Sequence, residues 1–90
     1  MSRLIFSENA WEDYLYWQRQ DKKTLKKINE LLKDIQRAGV LDVLEGLGKP
    51  EALKYRQAWS RRMDHANRLI YKLDEAENII VIACRGHYED

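Results

Sequence analysis

Near the end of the chain stand six apolar residues in a row, Ile79-Ile80-Val81-Ile82-Ala83-Cys84. A run this short and rich in β-branched residues, entered from the polar stretch Asp74-Glu75-Ala76-Glu77-Asn78, reads as a buried central strand. Such a strand needs partners on its edges and a cover over its faces, which sets what the rest of the chain must supply. It also runs straight into Arg85-Gly86-His87-Tyr88-Glu89-Asp90. Ionisable side chains are therefore delivered to the edge of a sheet on a rigid support.

The partner strands lie immediately upstream. From Trp59 the pattern has a period of two: Trp59, Arg61 and Met63 alternate with Ser60, Arg62 and Asp64. His65-Ala66-Asn67 makes a turn. Arg68 to Leu73 then alternates again, with Leu69, Tyr71 and Leu73 on one side and Arg68, Ile70 and Lys72 on the other. Two short turns between three such runs predict an antiparallel meander. In an antiparallel pair the start of one strand lies beside the end of the next, so Arg68 is expected close to His87.

The cover lies in the first half of the chain. Arg3 to Phe6 reads as a short strand and Ser7 as an N-cap, with Glu8 favourable in the first helical turn. A helix is predicted from about Asn9 to Gln20, where Trp11, Tyr14, Leu15 and Gln18 recur at helical spacing, with Tyr16 and Trp17 widening that face or lying beside it. Asp21 caps a second helix from Lys22 to Ala38, on which Leu25, Ile28, Leu32 and Ile35 form an apolar stripe broadened by Leu31. Gly39 follows as a C-cap. With almost no loop between them the helices make an antiparallel hairpin. The expected fold is α+β: one domain, residues 1–90, with a two-helix hairpin packed on a small antiparallel sheet. Val40 to Glu45 reads as a helical turn or an apolar cover, and Gly46-Leu47-Gly48-Lys49-Pro50 breaks regular structure before Glu51.

Ninety residues, 44% of them apolar and 34% charged, suffice for one modest core. No apolar run approaches the roughly 20 residues a membrane span requires, and Leu4-Ile5-Phe6 is too short for a signal peptide, so a cytoplasmic protein is expected. Cys84 is the only cysteine and lies in the apolar run, where it reads as a small buried hydrophobe. The net charge of +1 hides an asymmetry: from Lys49 to Lys72 seven basic residues face two acidic ones. That clustering suits a polyanionic partner or a solvated sheet face. The run Lys22, Lys23, Lys26, Lys27 is read as a solvated face, or as an RNA contact. No hydrolase triad, phosphate-binding glycine loop or metal-ligand spacing is present, and neither metal nor other cofactor is expected.

What remains is a metal-free set: Glu51, Arg61 or Arg62, Arg68, His87 and Tyr88, with Lys49 and Lys54. A carboxylate, an imidazole and guanidinium groups suit transfer at an RNA phosphate. The carboxylate accepts the ribose 2′-hydroxyl proton, histidine protonates the departing 5′-oxygen, and arginine neutralises the phosphoryl oxygens. Tyr88 can stack on a base.

Trp11-Glu12-Asp13-Tyr14-Leu15-Tyr16-Trp17, Lys26-Lys27-Ile28-Asn29-Glu30-Leu31, Gly48-Lys49-Pro50-Glu51, Trp59-Ser60-Arg61-Arg62, Arg68-Leu69-Ile70-Tyr71 and Ala83-Cys84-Arg85-Gly86-His87-Tyr88 together resemble the YoeB/Txe toxins of the RelE superfamily. The resemblance spans nearly the whole chain in order. It implies a metal-independent endoribonuclease that cuts messenger RNA in the A site of the 70S ribosome. It implies a YefM-type antitoxin as partner, and frequent homodimers. It assigns Glu51 as general base, His87 as general acid, Arg68 to the transition state and Tyr88 to nucleotide positioning, with Lys49, Lys54, Arg61, Arg62 and Arg85 as phosphate contacts. The chain departs from the family pattern in the loop Ala38 to Leu47, in the short segment after Lys54, and in Glu89-Asp90 beyond His87-Tyr88. The alternatives are a non-cleaving toxin of RelE or ParE fold, against which the joint presence of Glu51, Arg68, His87 and Tyr88 argues, or an RNA-binding module that acts by binding.

Overall fold

The computed structural model describes residues 3–38, 48, 50–53 and 58–86. Its elements are β1 (Leu4–Phe6), α1 (Glu8–Gln20), α2 (Lys22–Ala38), β2 (Glu51–Ala52), β3 (Trp59–Arg62), β4 (Arg68–Leu73) and β5 (Ile79–Ala83). One sheet takes the order β1-β5-β4-β3-β2. The expected α+β architecture and the β3–β4–β5 meander are present, with Arg62 opposite Arg68 and Leu73 opposite Ile79. The sheet is mixed rather than wholly antiparallel, because β1 pairs with β5 in parallel, Leu4 opposite Ile79. The two-helix crossover makes that pairing possible. It gives the apolar β5 a bonded neighbour on each edge; Ile79, Val81 and Ala83 are buried, while Ile80 and Ile82 are half-buried.

Ser7 joins the first strand to the first helix. Its hydroxyl accepts from the Ala10 N–H at 3.0 Å and donates to the Ile82 carbonyl at 2.9 Å, so the cap also fastens α1 to β5. Asp21 serves both helices: its N–H donates to the Trp17 carbonyl, and its carboxylate receives the Lys23 N–H and the Thr24 hydroxyl. The Thr24 hydroxyl, foremost, holds the Asp21 carboxyl below the usual aspartate range.

The helix-covered core contains Ala10, Trp17, Ile28, Leu31, Leu32, Ile35, Met63, Leu69, Tyr71, Ile79, Val81 and Cys84. The apolar stripe of α2 packs as expected. On α1 the buried face is rotated from the expected one: Trp17 is its buried centre, Gln18 is exposed, and Trp11 is 49% exposed. The physical reason is a bond. The Trp17 indole N–H donates to the Cys84 carbonyl at 2.7 Å, which fixes which side of α1 meets the sheet. Trp11 instead joins a marginal aromatic cluster with Phe6 and Tyr14. Behind the sheet, Ala58, Ile70 and Ala83 form a second, smaller cluster. A register shift beside Ile70 and Tyr71 leaves Ile82 without a partner, since Tyr71 pairs with Val81 and Ile70 with Ala83. This bulge reverses the facing of the residues beyond it, turning Cys84 into the helix-covered core.

Candidate functional site

Because strand side chains alternate in facing, Arg61, bonded to α2, places its neighbours Ser60 and Arg62 on the opposite, open face of the sheet. Register then assembles the site. Glu51 lies opposite Ser60, and Arg62 opposite Arg68. Glu51 and Arg68 are diagonal neighbours across β3, and the Arg68 guanidinium reaches the Glu51 carboxylate at 3.7 Å. Glu51 is 62% exposed and Arg68 only 14%. The Arg68 Nη1, the atom nearest Glu51, is buried and makes no hydrogen bond among the described residues. Arg62 and Arg68, two like charges, stand opposite one another in the register of β3 and β4.

The approach to Glu51 is fixed at Gly48. Its carbonyl accepts the Arg62 N–H at 2.6 Å, and its φ is +79°. A side chain there would put Cβ 2.8 Å from the Arg62 carbonyl and 2.9 Å from Leu31 Cδ2. Only glycine allows the chain to pass this close to β3 and α2 while turning toward Glu51.

The segment leading to His87 is pinned from both sides. The Cys84 N–H donates to the Asp13 carboxylate at 3.0 Å, and the Cys84 carbonyl accepts the Trp17 indole. The Gly86 N–H donates to Asn67 Oδ1 at 2.8 Å, and the Gly86 carbonyl accepts the Arg68 N–H at 3.0 Å. The expected neighbourhood of Arg68 and the strand end thus exists as far as Gly86. His87, Tyr88, Lys49 and Lys54 lie outside the described residues. Burial, foremost, and the nearby Asp13 push the Cys84 thiol up to about 12, so it rests as the neutral thiol.

The structure therefore brings Glu51, Arg62 and Arg68 together. It does not bring Arg61. That side chain is fully buried, ion-paired with Asp34 of α2 and within 3.3 Å of the Tyr71 hydroxyl. Asp34 is itself buried and also bonded to Arg37. The expectation that Arg61 contacts phosphate is corrected: its guanidinium is enclosed between β3 and α2. The period-two pattern that set Arg61 beside Trp59 and Met63 already carried this signal. Arg85 is exposed, but its guanidinium lies 3.6 Å over the ring of Tyr16, on the α1 flank. Sequence reasoning passed over Asp34 and the pair Asp64 and Asn67. Asp34 could have been found at helical spacing within the apolar stripe, after Leu31 and beside Ile35.

A groove of about 900 Å³ opens near the opposite end of β4, lined by Ala52, Trp59, Lys72, Ile80 and Ile82 among others. Among the described residues no cluster of His, Cys, Asp and Glu could hold a metal ion. Among them, too, no helix is long and apolar enough to cross a membrane.

Residues 6–88 match the family described as YoeB-like toxin of bacterial type II toxin-antitoxin system. The chain is 48% identical to Toxin YoeB of Escherichia coli K12 over 96% of its length and 99% of that protein. Among solved structures it resembles the YoeB dimer of Staphylococcus aureus, with a TM-score of 0.85 and 47% identity, covering 97% of this chain and 98% of that one. It also resembles the toxin in the heterotetrameric YoeB–YefM complex of Staphylococcus aureus, with a TM-score of 0.83, 47% identity and coverage of 98% and 99%.

Proposed function

The chain belongs to the YoeB-like toxins of bacterial type II toxin–antitoxin systems, and from that membership and the open-face site we propose that it is a ribosome-dependent messenger-RNA endoribonuclease. The observation that carries the reading is the Glu51–Arg68 pair, 3.7 Å apart, on the residue whose backbone is bonded to Gly86. It puts a carboxylate, a guanidinium and the chain leading into His87 at one end of one sheet face.

In this reading Glu51 accepts the proton of a ribose 2′-hydroxyl. The freed 2′-oxygen attacks the adjacent phosphorus. The bond to the 5′-oxygen breaks, and His87 supplies the proton that the 5′-oxygen takes. The products are a 2′,3′-cyclic phosphate and a free 5′-hydroxyl, and no outside water or oxidant enters the step. Arg68, with Arg62 opposite it, neutralises charge on the non-bridging oxygens. Tyr88 stacks on a nucleotide, and Lys49, Lys54 and Arg85 contact phosphates. The largely exposed Glu51 favours an enzyme that needs its substrate held in place by something else. A ribosomal A site supplies that, and working there places the protein in the cytoplasm. A YefM-type antitoxin is its neutralising partner and a homodimer its own assembly, by analogy with the Staphylococcus aureus YoeB–YefM complex and YoeB dimer.

Purified protein added to a translating extract, followed by mapping of messenger-RNA 5′ ends, tests this. Cuts at A-site codons, with little cleavage of free RNA, are expected. Arrest of translation without new 5′ ends would move the protein to the binding-only toxins.

A further inference from the structure

The turn between β3 and β4 is held by a small polar assembly that the proposed chemistry does not use. Asp64 Oδ1 accepts the N–H groups of Ala66 and Asn67, each at 2.8 Å. The Asn67 amide nitrogen donates to both Asp64 oxygens at 3.1 Å. An ionised carboxylate only accepts, so the Asn67 nitrogen must face Asp64 and its oxygen must face away. That oxygen receives the Gly86 N–H at 2.8 Å. On the far side of the same residue, the Gly86 carbonyl accepts the Arg68 N–H.

We propose that Asn67 is a positioning residue for the general acid: its amide, oriented by Asp64, fixes where the chain leaves the sheet toward His87. The inference rests on the reading of His87 as the acid. The ladder of β5 ends at Ala83, so Gly86 is held by Asn67 and Arg68 rather than by regular strand pairing. Asn67 and Arg68 are consecutive, and Arg68 faces Glu51. The same two residues thereby tie the acid's point of departure to the base and to the phosphate-binding guanidinium. Loss of the amide leaves Gly86 one anchor short, and a displacement on the order of 1 Å at a reacting group can cost ~100-fold in rate.

The test uses the full-length protein on programmed ribosomes with two messenger RNAs, one natural and one carrying a sulfur in place of the bridging 5′-oxygen at the A-site cut. The sulfur departs without needing a proton, so a defect confined to the acid disappears on it. Asn67→Ala is expected to cut the natural RNA about 10- to 100-fold more slowly, with the loss in kcat rather than KM, and the sulfur RNA within about threefold of wild type. The exchange Asp64→Asn with Asn67→Asp restores donor against acceptor and is expected to regain most of the rate on natural RNA. Asn67→Asp alone sets two carboxylates face to face and is expected to be as slow as Asn67→Ala at neutral pH. Asn67→Ala cutting natural RNA at the wild-type rate overturns the inference. So does a loss equal on both RNAs that the exchange variant fails to repair. His87→Ala, run alongside, separates this from failure of the underlying reading: if it cleaves like wild type, His87 is not the acid. If it is slow on oxygen and normal on sulfur while Asn67→Ala is fast on both, the reading survives and the positioning role of Asn67 does not.

Discussion

Arg61 and Arg62 are adjacent in sequence and lie on opposite faces of the sheet. On the covered face Arg61 is sealed between β3 and α2 with Asp34, where two charges removed from water satisfy one another. On the open face Arg62 stays exposed and confronts Arg68, a like charge, with Glu51 diagonal to the latter. One face uses its arginine to hold a helix to a strand; the other sets two arginines opposite one another beside a single exposed carboxylate. A basic cluster counted along the sequence mixes these two roles, and only the facing separates them.

Breaking the covered face should have the largest effect on stability. Arg61→Ala takes its buried ion-pair partner from Asp34, and should cost about 3 kcal/mol or more in urea unfolding, with cleavage per folded molecule retained. Replacing the pair together, Arg61→Met with Asp34→Leu, should recover most of that loss, because apolar side chains of similar volume avoid the cost of burying charge. A pair replacement that folds well but no longer cleaves would show that Arg61 serves the substrate after all.

Arg68→Ala tests the other face. It should lower the single-turnover cleavage rate by roughly 100- to 1,000-fold while moving the melting temperature little. Gly48→Ala touches both faces at once, since a Cβ there meets Leu31 on one side and the Arg62 backbone on the other. With φ at +79° as well, it should cost about 1–3 kcal/mol in thermal unfolding and slow cleavage by displacing Glu51.

A pH experiment sharpens the comparison further. Burial raises the Cys84 pKa from 9.0 to about 12 in the folded chain. The stabilisation gained by keeping the thiol neutral is therefore complete below pH 9.0 and is lost as pH climbs toward about 12. Against Cys84→Ala, the wild type should lose relative stability across that window in denaturant titrations and show no relative change between pH 6 and 8. The smallest effect belongs to Arg62→Ala, exposed and facing a like charge: unfolding should change by about 0.5 kcal/mol or less, while cleavage weakens.

Much of this arrangement was legible in the residues. The apolar run fixed β5, two polar turns set the meander, and antiparallel register put Arg68 beside the strand end, which the Arg68–Gly86 bond bears out. The parallel pairing of β1 was not legible, because Leu4–Phe6 is three residues long and carries no register signal of its own. The rotation of α1 escaped because it is decided by one indole bond to Cys84, a partner 67 residues away. Arg61 was misjudged through its chemistry: its position in the alternation placed it inward, but a buried arginine is credible only once Asp34 is seen beneath it. Asn67 gave no sequence signal beyond that of an ordinary turn residue.

The most direct test is Glu51→Gln, which keeps the shape of the side chain and removes its capacity as a base. Its A-site cleavage rate on programmed ribosomes should fall about 100-fold or more, with a melting temperature within about 2 °C of wild type. A folded Glu51→Gln protein that cuts messenger RNA at the wild-type rate would show that the open face of the sheet does not carry the chemistry assigned to it.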